Sequence, residues 1–136
     1  MRDSLYDDVG ARFSLAPAIR TAAATVNGTS VDTVGTKNNF RVGMVVVVAG
    51  AITDGTHTIG LEDSANGTTG WTAVAAELLE GTPPVLTTAE ANSVARLAFS
   101  RTRRYVRVTV TTASATVGGT VGAAVLLAAG SGRPVT

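Results

Sequence analysis

The sequence predicts an all-β protein: an antiparallel β-sandwich of jelly-roll-like type, with an extended N-terminal arm and at most one or two short helices. Three observations carry that expectation. Val and Thr recur along the chain, and their branched Cβ atoms suit a pleated, half-buried strand better than a helix interior. The dipeptides Asn27-Gly28, Asp54-Gly55, Asn66-Gly67 and Gly118-Gly119, which accept the positive φ of tight turns, divide the chain at short intervals. Val106, Val108 and Val110 alternate with Tyr105, Arg107, Thr109 and Thr111, so one face of that segment is core and the other is wet or in contact with a partner.

Taken in order, residues 1–18, with Pro17 near their end, show no strand pattern and read as an arm. Residues 19–130 read as the sandwich domain and 131–136 as a short polar tail. Strands are expected near 19–26, 30–35, 40–50, 56–62, 69–75, 94–100, 103–112 and 120–128. Val45-Val46-Val47-Val48 does not alternate, which predicts cover on both faces, by a second sheet on one side and by a loop or a subunit on the other. Left exposed, such a strand is an aggregation hazard. Val121 to Leu127 is also apolar on both faces, and Gly118-Gly119 is expected to join it to the preceding strand as an antiparallel hairpin. These two apolar strands form the expected heart of the domain. Ala73 to Glu80 is rich in Ala, Glu and Leu and stops at Gly81 before Pro83-Pro84, the pattern of a short helix or turn. Thr87 and Glu90 have capping-box spacing, so one or two helical turns over Ala89 to Arg96 compete there with the next strand.

With 136 residues, 45% of them hydrophobic, the chain is sized for one domain with its own core. A net charge of +1, from 11 Lys and Arg against 10 Asp and Glu, lacks the basic excess of a dedicated nucleic-acid binder. Aromatic residues make up only 4%, so stability has to come from many Val, Ala, Leu and Thr contacts or from neighbouring subunits. No cysteine is present, which excludes disulfides and thiol chemistry. The first residues mix charged and polar side chains where a secretory signal needs an apolar run. The runs Met44 to Ile52 and Val121 to Ala129 fall short of the ~20 residues of a membrane helix, so a soluble protein with no membrane partner is expected.

The chemistry available is sparse. His57 follows the Asp54-Gly55 turn near Ser64 and Asp32 in sequence, but no nucleophile-elbow pattern surrounds any serine. Glu62 and Asp63 are neighbours on a strand and face opposite ways, unlike a glycosidase acid and base. Asp3, Asp7 and Asp8 lack the spacing of a calcium loop, and no glycine-rich phosphate loop is present. No catalytic residue, metal site or cofactor is therefore expected. The one concentrated feature is Arg96, Arg101, Arg103, Arg104 and Arg107 with Tyr105 among them. A strand extended back to Arg101 places Arg101, Arg103, Tyr105 and Arg107 on one face. That row reads as a solvated face that discourages edge pairing, as a dock for an acidic protein surface, or as a nucleic-acid groove. Trp71 beside Thr68 and Thr69 offers a stacking platform for a base or a sugar.

Val31-Asp32-Thr33, the stretch from Gly50 to Thr58, and Glu62-Asp63-Ser64 with Asn66-Gly67 resemble small virion proteins of tailed bacteriophages, encoded among head genes and described as head decoration proteins. Arg103 to Val110, Gly118 to Ala123 and Gly132-Arg133-Pro134 extend the resemblance over residues 31–134. It implies a β-sandwich that binds the outside of an assembled icosahedral shell, as a trimer or between shell subunits, and strengthens it, with no catalytic residue to carry over. The expected function is thus that of a non-enzymatic capsid decoration or cement protein. Its place is the outer surface of the phage head, after a stay in the bacterial host cytoplasm, and its partners are the major capsid protein and neighbouring copies of itself in a homotrimer. The alternative is a tail, connector or fibre-associated subunit or, further off, a nucleic-acid or carbohydrate binding module. The expected shell contacts are Arg2, Tyr6, Arg12, Phe13 and Leu15 with Arg20, on an arm that orders on docking, and the face of Arg101, Arg103, Tyr105 and Arg107. Removing residues 1–18 is expected to weaken attachment and leave the domain folded.

Overall fold

The computed structural model describes residues 4–35, 39–128 and 130. A short helix α1 (Leu5–Asp8) precedes eleven strands: β1 (Gly10–Arg20), β2 (Thr25–Asn27), β3 (Val31–Asp32), β4 (Val42–Ile52), β5 (Thr56–Ser64), β6 (Thr72–Ala73), β7 (Leu79–Glu80), β8 (Val85–Leu86), β9 (Val94–Ser100), β10 (Tyr105–Ala113) and β11 (Gly119–Ala128). One sheet has the order β1-β11-β4-β9-β7. The other has the order β2-β10-β5-β6, with β3 also on β10 and β8 also on β5. Every pairing between these strands is antiparallel, giving the expected all-β sandwich.

Alternation places the core between the sheets. From the first sheet Val45, Val47, Leu97, Phe99, Val121, Val125 and Leu127 turn inward, and from the second Ile59, Leu61, Val106, Val108 and Val110 meet them. Phe40 fills from a connection, and Val31 on β3 and Leu86 on β8 add to it. Only Phe40 and Phe99 among the aromatic residues enter this core, so branched aliphatic side chains supply most of the buried area, each contributing about 1.5–3 kcal/mol. The two apolar runs, β4 and β11, pair side by side from Gly119 opposite Ile52 to Ala128 opposite Val42.

The chain departs from the sequence reading at three places. The segment expected as an arm becomes β1 from Gly10 onward and pairs with β11. Its pattern is hidden because register shifts between Phe13 and Leu15 and between Leu15 and Ala18 break the alternation, and Ser14 and Leu15 are both buried. Pro17 is tolerated because β1 is an edge strand. Gly118-Gly119 does not close a hairpin: β10 and β11 lie in different sheets, and the dipeptide turns the corner between them. The Asp54 carboxylate accepts from the backbone N–H of Thr116 (3.0 Å), Val117 (3.1 Å) and Gly118 (2.6 Å), which lashes this corner to the β4–β5 corner beside it. Gly118 has φ +81°, and a Cβ there would run into the Arg20 carbonyl, so only glycine fits.

The Thr87 and Glu90 capping box forms, with the Glu90 carboxylate 2.7 Å from the Thr87 N–H, but it caps only a 3-10 turn at Thr88–Glu90. Asn92 at φ 55° and the bond from its N–H to the Gly50 carbonyl (2.9 Å) return the chain to the sheet as β9. The Ala73 to Glu80 stretch holds the short turn expected there, a 3-10 turn at Ala76–Leu78, followed by β7. The tail expected at 131–136 lies outside the described residues.

Candidate functional site

The arginine cluster sits at the end of the sandwich where β9 passes to β10. β10 starts at Tyr105, so Arg101, Arg103 and Arg104 belong to the connection, and only Tyr105 and Arg107 of the expected row share the outer face of the second sheet. Each of three arginines is already paired. Arg104 grips Asp32 with two bonds, Nε to Oδ1 at 2.9 Å and Nη2 to Oδ2 at 2.7 Å, and lies 5.1 Å from the centre of the Tyr105 ring. Arg107 meets Glu62 directly across the β10–β5 pairing, with Nε 2.8 Å from Oε2, and its guanidinium covers the Trp71 ring at 4.4 Å. Arg103 bonds Thr72 Oγ1 at 3.0 Å and stands 3.6 Å from Asp63, whose carboxylate is 8% exposed. Arg101 reaches Thr33 Oγ1 at 3.4 Å.

Arg103, Arg104 and Arg107 are therefore matched carboxylate by carboxylate, and Arg101 keeps its charge beside Thr33. The Arg104 guanidinium, then the Val34 N–H, hold the Asp32 carboxyl below the usual carboxylate range, and Asp32 in turn raises Arg104. These bonds pin the β3, β5 and β10 ends together, so three of the arginines that the sequence singled out also serve the fold. One face of Trp71 is occupied by Arg107, which takes half of the stacking platform.

The Ser, His and Asp that neighbour each other in sequence are separated in the fold. His57 points inward with no exposure, and its Nδ1 lies 3.0 Å from Thr112 Oγ1. Ser64 Oγ donates to the Thr69 carbonyl inside a loop that Asn66 ties together, and Asp32 serves Arg104. Among the described residues no group of three His, Asp or Glu side chains stands around one point where a metal ion could sit; Asp3 is not among them.

The arm residues divide. Arg2 lies outside the described residues. Tyr6 on α1 is 85% exposed, and Leu5 beside it 78%. Arg12 lies over the Phe40 ring at 5.9 Å and Arg20 bonds the Ala16 carbonyl, so both are used within the chain. Burial lowers the Arg20 guanidinium from its ordinary value. Leu15 is 2% exposed in the core and cannot be a surface anchor. Phe13 stands opposite Ala124 and is 56% exposed on the outer face of the first sheet.

That outer face is the surface that the sequence reading did not assemble. Val42, Met44, Val46 and Val48 on β4 point away from the core, next to Ala124 and Leu126 on β11 and Val94 and Ala98 on β9. Val42, Val48 and Val94 are 41%, 54% and 65% exposed. At one end α1 overhangs the sheet and a groove of about 430 Å³ opens between Leu5, Val9, Val42, Met44 and Leu126. The face of the second sheet carries Arg107, Glu62, Tyr105, Thr58, Thr111 and Thr25 instead. One side of the sandwich is polar and self-paired, and the other is apolar and open. The signal was the missing alternation in Val45 to Val48: Val45 and Val47 fill the core, and no loop among the described residues covers Val48.

No protein-family model matches the chain, and no curated protein matches it. None of the helices among the described residues is long and apolar enough to cross a membrane.

Proposed function

We propose that the chain is a non-enzymatic structural protein of a tailed-phage head, which docks on the outside of the icosahedral shell and stabilises it by linking neighbouring major capsid subunits. The observation that carries the docking part is the set of exposed apolar side chains on the outer face of the first sheet, Phe13, Val42, Val48 and Val94, with Leu5 of α1 beside Val42 and Met44. Monomers do not ordinarily leave so continuous an apolar sheet face in water, and its exposure marks a protein contact. The resemblance of residues 31–134 to phage head proteins supplies the shell as that contact. A rigid sandwich pinned by internal ion pairs suits this role, because contacts of modest strength multiply over a lattice and resist expansion of the shell.

The test is co-sedimentation of the purified chain with shells assembled from the major capsid protein, against Val48→Asp as a variant on the open face. The expected result is saturable binding by the native chain and its loss in the variant. Equal sedimentation with and without shells would refute the reading.

A further inference from the structure

The two edges of the first sheet are finished differently. β1 is blunted along its length. The Arg12 guanidinium donates to the Ala11 carbonyl at 3.0 Å, the Thr29 N–H to the Ser14 carbonyl and Arg20 to the Ala16 carbonyl, and Pro17 has no N–H to offer. At the other edge β7 covers β9 only at Phe99 and Ala98, where Leu79 and Glu80 stand opposite. The chain then turns at Gly81, φ +95°, and leaves for β8 in the other sheet. The pairing with β4 fixes which backbone groups of β9 this leaves open. The Ala49 N–H bonds the Ser93 carbonyl and the Arg101 N–H bonds the Arg41 carbonyl, both at 2.9 Å, and the register between them is unbroken. Residues of an antiparallel strand bond alternately to one neighbour and to the other. Ser93, Ala95, Leu97 and Phe99 therefore bond toward β4, while Val94, Arg96 and Ala98 face the edge. Ala98 meets Glu80. The N–H and carbonyl of Val94 and of Arg96 are left without a partner among the described residues.

We infer that the open edge of β9 is a strand-addition site, and that its occupant is an extended segment of the shell subunit, bonded to the Val94 and Arg96 backbones as the next strand of the first sheet. The inference rests on the shell reading and gives the contact its form. From Ser93 to Leu97 the edge is clear of β7, a length of roughly 16 Å at about 3.3 Å per residue. That length accommodates a short strand held by both groups of Val94 and both groups of Arg96. Edge and face meet on one residue: Val94, 65% exposed, belongs to the outer face as well, so a molecule seated on that face lies against this edge. A strand added there extends the docking face and does not compete for it. Charge supplies the chemistry of the segment. Arg96 is exposed and has no ion pair among the described residues, so the side chain that stands opposite it is acidic. A second copy of β9 is the poorer occupant. Pairing Val94 of each copy with Arg96 of the other puts Asn92 opposite Ala98, the position that Glu80 fills.

The experiment is hydrogen–deuterium exchange of the full chain, read residue by residue, free and on shells assembled from the major capsid protein. In the free chain the Ala95 and Leu97 amides, bonded to β4, are expected to exchange slowly and those of Val94 and Arg96 fast. On shells the Val94 and Arg96 amides are expected to slow by about tenfold or more. Two variants separate bonding from mere burial. Arg96→Pro removes an N–H that nothing among the described residues uses, so its thermal midpoint is expected near the native one, while its dissociation constant from shells rises about tenfold. Arg96→Ala keeps the N–H and loses the charge, and is expected to raise the constant about threefold, an effect that added salt removes. Shell-bound chain whose Val94 and Arg96 amides stay fast overturns the inference and leaves the shell reading standing, as does a folded Arg96→Pro that binds like Arg96→Ala. Where Arg96→Pro does not fold, exchange in the native chain decides alone. A native chain that does not bind shells overturns both.

Discussion

At Ser14 one hydroxyl closes the sandwich. Its Oγ accepts from the Val108 N–H at 3.0 Å and donates to the Thr29 carbonyl at 2.9 Å, which ties the edge strand of one sheet to a central strand of the other. Ser14→Ala leaves the Val108 N–H buried without a partner and is expected to cost about 1–3 kcal/mol in chemical denaturation. An unchanged midpoint would mean that water replaces the hydroxyl. The carboxylates set the acid limit. Asp32 is held below its ordinary range by Arg104, Asp54 by the Gly118 N–H and then those of Thr116 and Val117, and Glu90 by the Thr87 hydroxyl and then its N–H. A carboxyl whose folded pKa is depressed adds stability that is complete above its unfolded value, about 4, and is lost as pH falls through the folded value. Unfolding midpoints are therefore expected to be flat from neutral pH to about 5 and to drop below about 4, with a smaller drop in Asp32→Asn. A midpoint that rises on acidification would contradict this sign.

At the scale of the element, the regular strands were legible and the irregular one was not. β4, β5, β9, β10 and β11 fall near their expected spans because Val and Thr patterning and the flanking turn residues agree there. β1 was missed because its register shifts bury the adjacent Ser14 and Leu15, so that neither a period of two nor a period of 3.6 survives in the sequence. The corner at Gly118-Gly119 was misread for another reason. A glycine pair announces positive φ but not whether the chain turns within a sheet or between sheets, and that choice is made by the distant Asp54. The same limit applied to the arginine row, whose partners Asp32, Glu62 and Asp63 come from β3 and β5. Truncation tests the revised boundary. Removing residues 1–9 should leave a folded domain with weakened shell attachment, whereas removing 1–18 takes most of β1 and Leu15 and should unfold it. A cooperative thermal transition in the longer deletion would restore the 18-residue arm.

At the scale of the whole molecule, the two outer faces do different work. The second sheet is closed by its own ion pairs and hydroxyls, and the first presents valine, methionine and leucine outward. The open face was half legible: the Val45 to Val48 run announced cover on both sides, but only the fold shows which valines await it. On the proposed reading, neighbours on a lattice supply that cover to a protein whose core holds two phenylalanines and no larger aromatic residue. The reading as a head protein is tested most directly by the number of copies of this chain in purified virus particles, counted by quantitative mass spectrometry against the major capsid protein. The expected result is a ratio near one, or a simple lattice fraction of it. A few copies per particle would indicate a tail, connector or fibre component, and complete absence would contradict a place in the virion.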